Sequence, residues 1–319
     1  MSAPQSVDAV YTLANDRVAD QLTALLASVQ HLYGDRMPVW VIPFDDQLRE
    51  VRQALDAFPF ASLWADTESL ERWDRFMASV RPECLDPRRT RIYGGHRKLA
   101  AFDGEARRFV FMDADTLLMD RLDAIGSALD HKDFVACDFQ HRHAQHVFDP
   151  ESPLTASLFG PDWRQRVFCS GFFAGHAGAF PAQRLDELET RLLAGEKQLF
   201  RRGGPDQPLI NYLVARGELE VVNLALTESP YRGVGSWAGS PHFEREGKRL
   251  LDRGRVLLYL HWVGYPSADF RQLCRGRDVD LPYRDLFLAH RFSDGQGPPG
   301  WTEPRHLLRS LWRSVRARA

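Results

Sequence analysis

Apolar residues recur along this chain in short solid runs, separated by stretches with a helical period. Residues 7–13 read as a first strand that enters the turn Ala14-Asn15-Asp16. Residues 17–31 follow as an amphipathic helix, with Leu22, Leu25, Leu26 and Val29 on one face. A strand over 38–42, a helix near 46–57, a strand near 61–65 and a helix near 68–80 continue the alternation. The succession predicts an α/β fold with a mostly parallel, doubly wound sheet and helices on both faces. The fourth strand is the run over 109–117, whose four bulky apolar residues before Asp113 mark burial on both faces. Further strands are expected at 134–137, 167–174, 220–224 and 255–261, and helices near 182–193 and 207–214. Gly and Pro crowd residues 294–304 and end the packed region, so 1–293 reads as one domain.

The fourth strand ends on two acids, Asp113 and Asp115. In an open α/β sheet, ligands sit beyond the carboxyl ends of the strands. Two carboxylates there can hold a divalent cation or act as acid and nucleophile; left unpaired they repel each other, so a cation between them is the simpler account. The plainer reading makes Asp115 a helix cap and Asp113 a turn former. The turn after the first strand, Thr12-Leu13-Ala14-Asn15, is placed to hold a nucleotide, or to serve as an ordinary Asn cap. It lacks the GxGxxG dinucleotide fingerprint. Ser170-Gly171 interrupts an aromatic strand, which marks a close backbone approach or a bulge. Asp206-Gln207 opens a helix after Gly203-Gly204, as a cap or as hydrogen-bonding partners for a hydroxyl-rich ligand. His261 closes the apolar run 256–260 and can act as a metal ligand or a structural imidazole. His141, His143 and His146 lie in a polar stretch with weak zinc spacing.

Composition narrows the class. The 319 residues are 44% hydrophobic and 26% charged, with a net charge of −2. That balance fits a soluble globular protein and carries no nucleic-acid footprint. Four scattered cysteines form no CxxC pair and read as reduced thiols of a cytoplasmic protein. No secretory leader or membrane-spanning run is expected. Residues 305–319 place Leu307, Leu308, Leu311, Trp312 and Val315 on one face of a helix rich in arginine. Such a helix docks on its own domain or a partner subunit, or makes peripheral contact with the inner face of an anionic membrane.

In this order the motifs resemble the retaining glycosyltransferases of the GT-A fold, the glycogenin-like family 8 and its bacterial relatives. The matches run over most of residues 7–265. They are the opening strand with Asn15-Asp16, Lys98-Leu99, the DxD run from Phe109 to Leu118, Phe168-Cys169-Ser170-Gly171, Asp206-Gln207 with Asn211, and His261-x-x-Gly264. The resemblance implies a metal, Mn²⁺ or Mg²⁺, on Asp113, Asp115 and His261. It implies nucleotide-sugar contacts from Thr12, Leu13, Ala14, Asn15, Asp113, Ala114, Ser170, Gly171 and Gly264, and catalytic roles for Lys98, Asp206 and Gln207. The implied reaction moves a hexose from a UDP-sugar to a hydroxyl of a glycan, lipid-linked or protein acceptor, with retention. Cys169 stands where the family has Asn, and Ser267 where it has the lysine that meets the diphosphate; Arg271 or the pair Arg201-Arg202 can supply that charge. No base-stacking aromatic is evident near Val18. Two alternatives remain. A haloacid-dehalogenase-type phosphohydrolase requires DxDx[TV], and here Thr116 comes one position early. A non-catalytic sugar-nucleotide or glycan-binding protein of the same fold is the other.

Overall fold

The computed structural model describes residues 7–84, 94–200, 206–293 and Gly297. In chain order its strands are β1 (Ala9–Ala14), β2 (Val39–Pro43), β3 (Ala61–Leu63), β4 (Arg108–Asp113), β5 (Thr116–Leu118) and β6 (Phe134–Ala136). They continue with β7 (Phe172–His176), β8 (Val221–Asn223), β9 (Glu244–Glu246), β10 (Arg249–Asp252), β11 (Arg255–Val256) and β12 (Tyr259–His261). Seven form the central sheet in the order β3-β2-β1-β4-β7-β6-β8. Neighbours are parallel except at β7, which runs antiparallel to both β4 and β6.

The solid apolar runs are explained by burial on both faces. In β4, Val110 and Met112 point to one side, into a cluster with Val10, Phe172 and the Leu22, Leu25, Leu26 and Val29 face of the helix Ala19–Tyr33. Phe109 and Phe111 point to the other side, among Tyr11, Phe134, Phe173 and the Trp73, Phe76 and Met77 face of the helix Thr67–Val80. Period-two alternation therefore sends each residue from Phe109 to Met112 into a core.

The chain winds from β1 outward to β2 and β3, then returns to place β4 on the other side of β1. The strand order reverses at that point, and a crevice opens beyond the carboxyl ends of β1 and β4.

Three expected strands are differently drawn. The run over 109–117 breaks after Asp113, where the Thr116 hydroxyl donates to the Asp113 carbonyl at 2.7 Å and closes a turn. β5 then leaves the main sheet and pairs antiparallel with β12, so that Thr116 faces His261. The strand expected over 167–174 begins only at Phe172, because side chains take the backbone groups of 168–170. The run 255–261 splits into β11, in a three-stranded sheet with β10 and β9, and β12. Lys98 sits on a 3-10 segment, Gly95–Asp103. The tail helix expected at 305–319 lies outside the described residues. Among those residues, no helix is long and apolar enough to cross a membrane.

Candidate active site

The register between β1 and β4 sets Leu13 beside Asp113, so two strand-end turns leave the sheet side by side. One carries Asn15, whose Oδ1 accepts from the Arg17 backbone N–H at 3.1 Å while its Nδ2 donates to Asp45 at 2.8 Å. It is both a helix cap and part of a cavity wall. That cavity encloses about 470 Å³. Its wall unites Leu13, Ala14 and Asn15 with Asp113, Ala114 and Asp115, and adds Lys98 and Asp206. Thr12 lies one residue behind, buried, with its hydroxyl lacking a hydrogen-bond partner.

Lys98 is the electrostatic centre. Its ammonium lies 3.0 Å from Asp113, 3.0 Å from Asp206 and 3.1 Å from the Ser170 carbonyl oxygen. Burial alone pulls an ammonium's pKa down, but the two carboxylates outweigh it and hold Lys98 charged. Asp113 is pushed up, chiefly by burial, against the pull of Lys98. Asp115 moves the other way: burial raises it, but His261, 3.3 Å away, brings it below the usual range. Burial would depress the His261 imidazole, yet the Asp115 carboxylate raises it well above its ordinary value.

Asp113, Asp115 and His261 bring three ligand atoms within 4.8 Å of one another, the one such group of three found among the described residues. The histidines of the 3-10 segment Gln140–His146 do not form another. Two carboxylates and an imidazole suit Mn²⁺ or Mg²⁺. The floor of the cluster is Gly171. A Cβ there would lie 2.3 Å from His261 Cε1 and 2.9 Å from Asp113 Oδ2. The glycine is therefore a requirement of space, and Gly171→Ala is expected to displace His261 and weaken Mn²⁺ binding by about tenfold or more, with roughly 1–3 kcal/mol of stability lost. Calorimetric Mn²⁺ titration checks this; unchanged affinity would remove the assigned contact.

The segment before β7 is held by side chains. Asn211 accepts from the Phe168 N–H at 3.0 Å and donates to its carbonyl at 2.9 Å. The Gln207 oxygen accepts from the Ser170 N–H at 3.2 Å, and the Ser170 hydroxyl donates to Asp206 at 3.1 Å. Asp206 thus bridges Lys98 and Ser170, while Gln207, Ser170, Gly171 and His261 stand behind the cavity wall. Gly264 lies in the turn after His261 with φ of 88°, a left-handed conformation that favours glycine, and is outside the wall.

Several residues at this site escaped the sequence reading. Phe44, Asp45, Asp46 and Gln47, after β2, and Tyr265 line the cavity and come from segments far apart in the chain. Phe44 and Tyr265 are the aromatic residues of the wall. A second cavity of about 330 Å³ shares Arg17 and Ser267 with the first and adds Arg271 and Arg275. Arg271 donates to the Asp16 carbonyl at 3.0 Å. Arg201 and Arg202 lie outside the described residues.

Asp138 was also missed, although it ends the apolar run 134–137 as Asp113 ends its own. It accepts from the N–H groups of Gln140 at 2.7 Å and Cys169 at 3.0 Å. Burial nevertheless pushes its carboxyl up to about 6. A raised acid stabilises the fold below its unfolded pKa and loses that contribution as pH rises through the folded value. The stability difference between the wild type and Asp138→Asn should therefore change between pH 4 and 7, the wild type losing roughly 2 kcal/mol more. Urea denaturation at the two pH values reads it; parallel curves would place the Asp138 pKa in the ordinary range.

No family model matches the sequence, and no curated protein is similar to it. Solved structures are similar in fold. The galactosyltransferase LgtC, bound to donor and acceptor sugar analogues, superposes with a TM-score of 0.54 at 14% identity, over 92% of this chain and 98% of LgtC. The apo bifunctional glycosyltransferase WbbM gives 0.53 at 14% identity, over 93% of this chain. The chain spans about half of WbbM, 51%. The fold class is thus that of GT-A glycosyltransferases: a mostly parallel central sheet flanked by helices.

Proposed function

We propose that this protein is a metal-dependent glycosyltransferase that moves a hexose from a UDP-sugar to a hydroxyl acceptor, with retention. The observation that carries the reading is the meeting of Asp113, Asp115 and His261 at the edge of a cavity whose other wall is a strand-end turn at the sheet's switch point. The arrangement is what a nucleoside diphosphate needs: carbonyl and amide groups for the nucleoside, and a cation cluster for the diphosphate. LgtC, which holds donor and acceptor sugar analogues on the same fold, supports it.

A cation bound to Asp113, Asp115 and His261 would supply Lewis-acid stabilisation of the departing diphosphate. His261 must be neutral to ligate, so loading the cluster releases the proton that Asp115 stabilises. The chain's own groups do the rest. Phe44 and Tyr265 flank the base and ribose, with Asn15 and Asp45 offering polar contacts. Arg17 and Arg271 replace the lysine that Ser267 lacks, and their guanidinium groups match phosphate oxygens. Lys98 pairs with Asp206 at 3.0 Å and holds that side chain beside the sugar, where positive charge develops as the anomeric C–O bond breaks. Gln207 accepts from the N–H of Ser170, whose carbonyl accepts from Lys98, and Asn211 donates to the Gln207 carbonyl.

With Mn²⁺ and UDP-hexoses, the full-length protein should release UDP, and proton NMR of the first glycoside should show the donor's anomeric configuration. An inverted anomer would remove retention. Absence of UDP release from every UDP-hexose, with phosphate freed from a phosphomonoester, would favour the phosphohydrolase.

A further inference from the structure

We infer that Trp237 is a stacking platform for a pyranose ring of the acceptor, so that the acceptor is a carbohydrate at its reactive end. The inference rests on the transferase reading and deepens it. Among the described residues, three large apolar side chains are conspicuously exposed, and two of them, Trp237 at 51% and Val263 at 49%, belong to the segments around His261. Exposed apolar groups concentrated beside a polar site mark a ligand surface.

Trp237 is not a loose surface residue. It forms a parallel bridge with His261, in which the His261 N–H donates to the Ser236 carbonyl at 2.7 Å and the Ala238 N–H donates to the His261 carbonyl at 2.9 Å. Bridged residues send their side chains to the same face of a sheet, so the indole projects on the side where His261 meets Asp115. Its position is fixed further by Gly239: a Cβ there would lie 2.4 Å from Trp237 Cζ2. The ring is thus seated against bare backbone with about half its surface open.

The donor cavity does not use it. Thr116 occupies one edge of β12 at His261 and Trp237 the other, and Trp237 is absent from the cavity wall that reaches Asn15, Tyr265 and Ser267. A ring beside the reacting centre and outside the donor's enclosure is available to the second substrate. An indole presents a negative π-face, and the axial C–H bonds of a pyranose present a weakly positive apolar one; the hydroxyls at the rim stay free to react.

Saturation-transfer NMR on the full-length protein, with Mn²⁺ and with and without UDP, tests this using lactose and methyl β-D-galactopyranoside. The wild type should saturate C–H protons on one pyranose face. Trp237→Phe should keep the effect, and Trp237→Ala should weaken sugar binding roughly fivefold or more, about 1 kcal/mol. Gly239→Ala, which tilts the ring without removing it, should weaken binding as well. Mn²⁺ and UDP affinity should be unchanged in all three. No saturation of either sugar by the wild type, or equal binding by Trp237→Ala, overturns the platform. Loss in Trp237→Ala of binding to anionic lipid vesicles, with sugar contacts unaltered, overturns it in favour of a lipid surface. Failure of the wild type to bind UDP with Mn²⁺ would strike the donor reading instead, and the sugar titration without UDP still decides the platform.

Discussion

On the proposed transferase reading, Asp115→Ala is expected to reduce sugar transfer by about a thousandfold or more, equivalent to roughly 4 kcal/mol of transition-state stabilisation. Two losses combine. The Asp113, Asp115 and His261 group drops from three side chains to two, and His261 loses the carboxylate 3.3 Å away that orients it. The fold should survive, because Asp115 is in the turn between β4 and β5 and its removal relieves repulsion from Asp113. Circular dichroism should be unchanged while Mn²⁺-dependent UDP binding disappears from calorimetry. Normal transfer by a folded variant would show that the cluster is not where the cation acts.

Lys98→Met has the largest expected effect on stability. Lys98 is 2% exposed and faces two carboxylates. Methionine fills the space but leaves Asp113 and Asp206 without their cation. Removing one partner of a buried ion pair costs about 3–5 kcal/mol. The side chains of Asp113 and Asp206 are 28% and 16% exposed, so solvent screening places the loss near the lower end, about 3 kcal/mol. Mn²⁺ should restore part of it by neutralising Asp113, since a ligand that binds only the native state adds stability. Urea denaturation with and without Mn²⁺ reads both effects. A variant as stable as the wild type without metal would mean that the carboxylates are protonated or solvated there. Transfer should fall as well, because Asp206 would lose the ion pair that positions it.

Much of the fold was legible because its signals are local. The helix expected near 182–193 is the helix Ala182–Leu193, with Leu185, Leu188 and Leu192 buried. β1, β2 and β3 lie within a residue or two of the apolar runs that announced them. The errors fall where tertiary partners override the pattern. Residues 168–170 have strand composition, but Asn211, Asp138 and Gln207 take their backbone hydrogen bonds. The apolar run before His261 breaks at residues 257–258, between a hairpin strand and one that pairs with β5.

The site divides in the same way. The sequence by itself singled out Asp113, Asp115 and His261, because apolar runs that end in charged residues announce strand ends, and strand ends in such a sheet face ligands; Lys98 stood out only through the family resemblance. Only the tertiary structure decided which of them meet. His261 reaches Asp115 because β12 pairs with β5, and Lys98 lies between Asp113 and Asp206 because a 3-10 segment packs under the helix Asp206–Arg216. Gly171 is fixed by the imidazole above it, and Trp237 by a bridge between segments 24 positions apart. These are long-range contacts. Their geometry depends on register and packing between distant segments, and neither leaves a periodic trace along the chain.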